Sequence, residues 1–455
     1  MKITVIGAGY VGLVSAACFS DFGYEVTCVD RDARKVAALE GGKIPIYEQG
    51  LEPIVASNRQ AGRLTFTEDL KAAVASADVV LIAVGTPTRE GEDAADLSYV
   101  YAAGEEIARA MQGFTVVVTK STVPVGTAAK LREIIAKARP DGDFEVASNP
   151  EFMREGSAVE DFLRPDRVVV GCSSDRAEKV LRQLYRPLTT KNVPILVTSC
   201  EAAEVIKYAA NTFLATRIAF VNQLADLCER VGADIQDVAR GMGLDKRIGL
   251  QFLSPGPGFG GSCFPKDTRA LAHTARQLGQ PISIVENVIA ANEQRKRNLA
   301  DRIQQAVGGS LQGKKIALLG IAFKAETDDI RAAAALSLAP ELQRRGAAPA
   351  AFDPGAMGNG RQAFQSVQWC ADAYSAAIGA DAVVVLTEWN VFRGLDLKRM
   401  ARDTREPVMV DFRNLFMASD IKGTGLTYHS IGRPSVVPPE GQKAAVIPFN
   451  KSGTV

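Results

Sequence analysis

The side chain with the widest chemical reach in this chain is a cysteine. Cys263 stands in Pro255-Gly-Pro-Gly-Phe-Gly-Gly-Ser-Cys263-Phe-Pro-Lys-Asp267, where five prolines and glycines precede Gly261 and shape a loop. Pro265 suits the first turn of a helix running to about residue 278. Cys263 therefore sits beside a helix amino terminus, where the dipole favours thiolate and makes sulfur nucleophilic. Asp267, four residues on, lies near the same face and can steer a water or take a proton. A glycine-dense approach costs conformational entropy and points to close backbone contact. Mere burial, the reading for Cys18, Cys28, Cys172, Cys200, Cys228 and Cys370, needs no such loop. Lys207 and Asn211 are spaced to share one helix face, flanked by Ile206, Ala209, Ala210 and Phe213. Enclosed, they would stabilise an oxyanion by charge and hydrogen bonding. Spacing alone reads them as a solvated surface pair.

A second constellation is Gly7-Ala8-Gly9-Tyr10-Val11-Gly12, between a β-branched run at residues 3–6 and an apolar helix that stops at Gly23. Gly7 permits the turn, Gly9 lets backbone approach a pyrophosphate, and Gly12 lets helix pack on strand. The helix start offers N–H groups to phosphates. Asp30, at the end of the next strand, would accept hydrogen bonds from ribose hydroxyls and repel a 2′-phosphate, which favours NAD over NADP. The loops Gly85-Thr-Pro-Thr88, Ser121-Thr122-Val-Pro-Val-Gly126 and Asn149-Pro-Glu-Phe-Met-Arg-Glu155 follow strand-like runs. Such loops line the ligand edge of an open parallel sheet, with Thr86, Thr122, Glu151 and Glu155 as polar candidates. Each alone is equally a plain turn.

These residues need a scaffold. Strand-like runs at 3–6, 24–29, 79–84, 115–119 and 144–147 alternate with helical stretches, which predicts a parallel sheet. Residues 201–231 predict one long helix, and a second begins after Pro281 and runs through 295–302, leaving 201–310 largely helical. The long helix reads equally as a dimerisation element or a scaffold. Residues 314–320 restart the strand-then-glycine pattern, and 380–386 echo 77–83. Gly320-Ile-Ala-Phe-Lys324 lacks two of the three glycines, so this second half should bind something other than a dinucleotide. From about 432 the chain is expected to be loosely ordered.

Composition excludes several function classes. The 455 residues are 47% hydrophobic and 23% charged, as in a soluble protein of two to four domains. With 53 Lys plus Arg against 52 Asp plus Glu, no global field attracts nucleic acid or a membrane surface. Seven scattered cysteines fit a reducing cytosol, and His273 and His429 alone supply neither a zinc ligand set nor a histidine relay. Glycines interrupt the apolar start that imitates a signal peptide, and no run is long enough to span a bilayer.

Gly260-Gly-Ser-Cys-Phe-Pro-Lys-Asp267, Lys207-Tyr-Ala-Ala-Asn211, Asn149-Pro-Glu-Phe-Met-Arg-Glu-Gly156 and Gly320-Ile-Ala-Phe-Lys324 with Thr327-Asp-Asp-Ile-Arg331 together resemble the UDP-glucose/GDP-mannose dehydrogenase family. Its members oxidise a nucleotide sugar's primary alcohol to a carboxylate. The resemblance, which reaches about residue 430, implies an α/β fold: two Rossmann-like doubly wound parallel-sheet domains joined by a central helical region with a long helix. It implies an NAD-binding domain at 1–200, a helical dimerisation domain with the cysteine loop at 201–310, and a UDP-binding domain from 311 to the end. It makes Cys263 the nucleophile and gives oxyanion stabilisation to Lys207 and Asn211. Asp267 positions water or protons, Glu151 assists acyl hydrolysis, and Thr122 holds a water.

By the same resemblance, NAD contacts fall on Val11, Asp30, Lys35, Thr86, Thr122, Glu155, Lys266 and Arg331, beside the glycine turn. Sugar-nucleotide contacts fall on Glu151, Phe152, Met153, Arg154, Glu155, Lys207, Asn211, Phe252, Leu253, Ser254, Pro255, Gly256, Gly260 and Lys324, with Arg247 and Arg413 as weaker assignments. Tyr10 either reaches the same cleft or only packs. After Arg331 the family's usual Glu-Ala-Pro is Ala332-Ala-Ala here, which removes a carboxylate. Phe264 and the loop before it resemble the UDP-glucose branch, so UDP-glucose is the expected substrate, GDP-mannose its rival, and a homodimer or an assembly of dimers the expected state. From another class, a non-catalytic NAD-binding regulator would keep the fold and never reduce NAD.

Overall fold

The computed structural model describes residues 1–89 and 91–439. Strands β1 (Lys2–Ile6), β2 (Glu25–Val29), β3 (Leu64–Thr67), β4 (Val79–Ile82), β5 (Thr115–Thr119), β6 (Phe144–Ser148), β7 (Val168–Gly171) and β8 (Ile195–Thr198) form one sheet in the order β3-β2-β1-β4-β5-β6-β7-β8. Strands β9 (Lys315–Leu319), β10 (Ala348–Phe352), β11 (Gln368–Trp369), β12 (Ala382–Val385), β13 (Val408–Asp411) and β14 (Thr427–Ser430) form another, ordered β11-β10-β9-β12-β13-β14. Both repeat one doubly wound order, whose direction reverses between the first and fourth strands of each set.

The apolar runs of β1, β4 and β5 are buried on both faces, as helices on both sides of a parallel sheet require. Their side chains divide with period two: Val5, Leu81 and Val118 join one core, Ile6, Ile82 and Val117 the other. The expectation of an all-parallel sheet needs one correction, because β7 meets β6 antiparallel through Ser148 and Gly171. Strands β3, β7 and β8, four residues each, escape the sequence reading.

The chain divides into two compact units, Met1–Asn211 with Arg269–Pro281, and Thr212–Thr268 with the chain from Ile282 onward. The long helix Cys200–Val231 begins in the first and ends in the second. The helix expected after Pro281 is interrupted at Asn298, giving Ser283–Arg297 and Leu299–Ala306. Cys172 and Cys200 are half-buried rather than buried, and the Cys200 thiol donates to the Gly171 carbonyl at 3.3 Å. Val436 exchanges backbone hydrogen bonds with Tyr428, and Gly432 donates to Glu229, so the chain is held through Val436. The rest of the expected loose tail, from 440, lies outside the described residues. Among the described residues no helix is long and apolar enough to cross a membrane.

The echo between the halves is structural. Asp78 accepts the Lys2 N–H at 2.8 Å, and Asp381 accepts the Lys315 N–H at 2.8 Å in the matching place. Asp30 ends β2 and Asp353 ends β10, but their surroundings differ. Asp353, 1% exposed, accepts from the N–H groups of Ile321, Ala322, Gly355 and Ala356 and from the Trp389 indole. That carboxylate is engaged by five protein donors, whereas Asp30 accepts from three.

Candidate active site

In the first unit the turn after β1 is sterically defined. Gly7 has φ +101°, and a Cβ there would lie 2.8 Å from the Ala83 carbonyl oxygen. A Cβ on Gly12 would lie 1.8 Å from the Gly7 oxygen, whereas one on Gly9 would meet nothing within 4 Å. Gly7 and Gly12 thus serve the fold, while Gly9 keeps open the space at the start of the helix Tyr10–Asp21, where N–H groups await an anion. Asp30 accepts from Ala8 N–H at 2.8 Å, Asp32 N–H at 3.0 Å and the Lys35 ammonium at 2.8 Å. Burial opposes its charge, but Lys35 and the two N–H groups outweigh it and hold the carboxyl below its usual range. An open pyrophosphate cradle beside an ionised ribose acceptor fits NAD.

Tyr10 begins that helix, and its hydroxyl binds Glu48, which the sequence reading missed. The Glu48 carboxylate also accepts the Gly156 N–H at 2.8 Å and the Ala158 N–H at 2.7 Å. These bonds tie the glycine turn to the loop bearing Glu151, Phe152, Met153, Arg154 and Glu155. Thr86 Oγ1 donates to the Thr122 carbonyl at 3.0 Å, joining the loops after β4 and β5. Val11 and Met153 pack against the first core.

The reading of Lys207 and Asn211 as a solvated pair is overturned: they are 3% and 7% exposed. Period and spacing place residues on one face but do not say what covers it. Lys207 Nζ lies 3.1 Å from Glu151 Oε1, whose other oxygen accepts the Met153 N–H at 2.6 Å. The Phe152 ring faces the Arg167 guanidinium at 3.7 Å and the Lys207 ammonium at 5.2 Å. Arg154 is engaged by Asp161. One turn before Lys207, buried Glu204 accepts the N–H groups of Gly126 and Ala128 at 2.7 and 2.8 Å, clamping the helix to the loop that carries Thr122. Burial pushes the Glu204 carboxyl up, against those two N–H groups and Ser148, which lower it.

Lys120, directly after β5, is 4% exposed and also escaped the sequence reading. Its ammonium lies 3.0 Å from Asn149 Oδ1 and 3.3 Å from the Tyr185 hydroxyl. Burial pushes it down to about 8, with Glu151 raising and Lys207 lowering it further.

In the second unit Cys263 accepts the Asp267 N–H at 2.8 Å through its carbonyl, which places it at the amino-terminal cap of the helix Phe264–Gln277. Its sulfur is 3.5 Å from Ser262 Oγ. Asp267, 1% exposed, pairs with Lys266 at 2.7 Å. Buried side chains on two helices hold the loop before it, a set the sequence reading missed. Asn222 accepts the Gly256 N–H at 2.7 Å, Arg295 donates to the Gly256 carbonyl at 3.0 Å, and Asn292 binds both the N–H and the carbonyl of Phe259. Asn292, Arg295 and Lys296 share one face of the helix Ser283–Arg297, and Lys296 donates to the Ala332 carbonyl at 2.9 Å.

The loop's glycines are there for close approach. A Cβ on Gly260 would lie 2.6 Å from the Ala332 oxygen, and one on Gly261 would meet the Phe323 ring at 2.8 Å. Gly256 faces Arg413, whose Nη1 lies 3.3 Å from where its Cβ would be. Arg413 also donates to the carbonyls of Leu386 and Phe323 at 2.7 and 2.6 Å. Lys324 extends beside Phe323, with Nζ 5.7 Å from its ring. Phe252 adopts φ +60° with its ring tilted 55° to that of Phe264 at 6.2 Å, while Leu253 and Pro255 are buried and Ser254 is exposed. The structure therefore gathers Gly256, Gly260, Lys324 and Arg413 of the expected sugar-nucleotide set. Arg247 is 89% exposed and paired with Asp245. Arg331 is engaged by Asp329 at 2.8 Å, and Ala332, where the family carboxylate is missing, takes φ +50°.

Comparison with known proteins gives three matches, each described under the UDP-glucose/GDP-mannose dehydrogenase family: an NAD-binding domain at residues 1–189, a central domain at 201–294 and a UDP-binding domain at 317–418. The UDP-glucose 6-dehydrogenase of Rhizobium meliloti (strain 1021) is 53% identical over 436 residues, 95% of this chain and 100% of the relative. That of Bacillus subtilis (strain 168) is 46% identical over 438 residues, 96% of this chain and 94% of the relative. The solved UDP-glucose dehydrogenase of Pyrobaculum islandicum superposes with a TM-score of 0.87 at 37% identity, covering 98% of each chain.

Proposed function

The chain belongs to the UDP-glucose/GDP-mannose dehydrogenase family, and from that premise we propose that it oxidises the C6 alcohol of UDP-glucose to the carboxylate of UDP-glucuronate by way of Cys263, consuming two NAD and one water. It is an NAD-dependent oxidoreductase. Bound NAD accepts one hydride, so removing four electrons takes two cofactor molecules per sugar. The observation that carries the covalent reading is the position of Cys263, at a helix cap, in a loop whose backbone is fixed by Asn222, Asn292 and Arg295.

The sulfur adds to the aldehyde left by the first oxidation: the carbon–sulfur bond forms as the carbonyl π bond opens, and the thiol proton ends on that oxygen as the thiohemiacetal hydroxyl. Loss of the hydroxyl proton to water and of the second hydride to a second NAD makes a thioester. Water then cleaves the carbon–sulfur bond, releasing the acid and restoring the thiol. Lys207 and Asn211 stabilise the oxyanions of these steps. Asp267 and Thr122 hold water and protons, and Glu151 assists the hydrolysis. Gly256, Gly260, Lys324 and Arg413 hold the nucleotide sugar, while the turn from Gly7 to Gly12, with Asp30 and Lys35, holds NAD.

Saturating NAD and limiting UDP-glucose should yield two NADH per sugar by absorbance, and GDP-mannose should yield little. A ratio of one would mean an aldehyde-forming enzyme, faster turnover of GDP-mannose would move the chain to the other branch, and binding without reduction would make it a regulator.

The functional state we propose is a homodimer built on the long helix. Phe213, Phe220, Leu227 and Val231 are 49–67% exposed and recur at helical spacing along one face. Phe220→Asp should turn a dimer into a monomer by light scattering, and an unchanged mass would remove this face from the interface. The seven free thiols suit the reducing cytosol, where the sequence reading places the protein.

A further inference from the structure

The mechanism above makes no use of Lys120. Burying an ammonium costs free energy unless a counter-charge compensates, and among the described residues Lys120 hydrogen-bonds to Asn149 and Tyr185 and to no carboxylate. Its walls are the Phe162 and Tyr185 rings, each with its centroid 5.9 Å from Nζ, and its two hydrogen-bond partners are neutral. One of them, Asn149, is gripped from both sides. Asn149 Nδ2 donates to the Val169 carbonyl at 2.7 Å, and its backbone N–H donates to the Thr119 carbonyl at 2.9 Å. Pro150 follows, then Glu151. The ammonium thus fixes the first residue of a stiff three-residue segment whose last carboxylate meets Lys207 at 3.1 Å. The charged groups that act on Lys120 are Glu151 from this loop and Lys207 from the long helix, and Tyr185 is the titratable group it touches.

We propose that Lys120 is a positioning residue for the Glu151–Lys207 pair: through Asn149 it fixes where the Glu151 carboxylate stands, and its buried charge adds to that of Lys207 in stabilising the oxyanion. The proposal rests on the roles given to Glu151 and Lys207 under the proposed function. A purely structural residue here would be better apolar, since a side chain of similar length without the charge would fill the same aromatic pocket at no desolvation cost.

The test compares Lys120→Met with the full-length wild-type protein. Lys120→Met should unfold at the same or a higher temperature, bind NAD and UDP-glucose with KM values within about threefold, and lose about 10–50-fold in kcat. The alkaline limb of the kcat profile near pH 8 should shift or vanish. Unchanged kcat and pH profile in a folded variant would overturn the proposal, as would a fall in unfolding temperature with kcat per folded molecule intact. Should Lys120→Met fail to fold, Tyr185→Phe decides: loss of one acceptor should move the alkaline limb to lower pH, and an unmoved limb overturns the proposal. Wild-type protein that makes no NADH from UDP-glucose would instead refute the reading beneath it, a result distinct from wild-type turnover with an unimpaired variant.

Discussion

Cys263→Ala should abolish formation of the acid while both nucleotides still bind. The capping bond to the Asp267 N–H comes from the carbonyl of residue 263, and the bonds that hold the loop involve the backbones of Gly256 and Phe259. The substitution therefore removes a half-buried sulfur and leaves the scaffold intact, so unfolding free energy should change by less than about 1 kcal/mol. The rate should not survive. Without sulfur the aldehyde has no thiohemiacetal from which to give up the second hydride, and acid formation should fall about a thousandfold or more. At most one NADH per sugar should accumulate. Measuring glucuronate directly, beside NAD and UDP-glucose binding by calorimetry, decides the matter: acid made at an appreciable fraction of the wild-type rate would rule out covalent catalysis. Lost binding would mean instead that the thiol shapes the loop.

What could be seen in the sequence and what could not divides along the distance over which each signal acts. The glycine turn, Asp30 and the cysteine loop are local: Gly7, Gly9 and Gly12 fall within one strand–helix turn, Gly7 and Gly12 answering steric demands and Gly9 keeping space open, and the loop before Cys263 is dense in proline and glycine for close approach. The residues that support them are not local. Glu48 reaches Gly156, Asn292 reaches Phe259, and Glu204 reaches Gly126 across folds of the chain, and no period or spacing announces such a pairing. Burial of Lys207 was hidden for the same reason. Lys120 was hidden by its company, as a lysine between a strand and a turn has the look of an ordinary solvated loop residue. The repeat of one fold in two halves could be read from 77–83 and 380–386, yet the five donors around Asp353, which set it apart from Asp30, come from segments that no local pattern links.

Lys207→Met should lower kcat about 10²–10³-fold, the loss expected when a charged oxyanion donor is removed. The variant also breaks a buried ion pair, since Lys207 and Glu151 are 3% and 6% exposed, and an abandoned buried carboxylate costs about 3 kcal/mol of stability. Activity loss and instability thus arrive together, and one variant cannot separate them. Adding Glu151→Gln should. The neutral amide no longer needs the ammonium and can still accept the Met153 N–H, so much of the lost unfolding free energy should return in denaturant titrations. The rate should stay low, because neither Met nor Gln carries the charge that the developing alkoxide requires. If kcat recovers along with stability in the double variant, Lys207 acts by holding the loop in place. If stability returns and kcat stays well below that of Glu151→Gln alone, the ammonium acts on the reacting oxygen, and the buried pair exists to keep it there between turnovers.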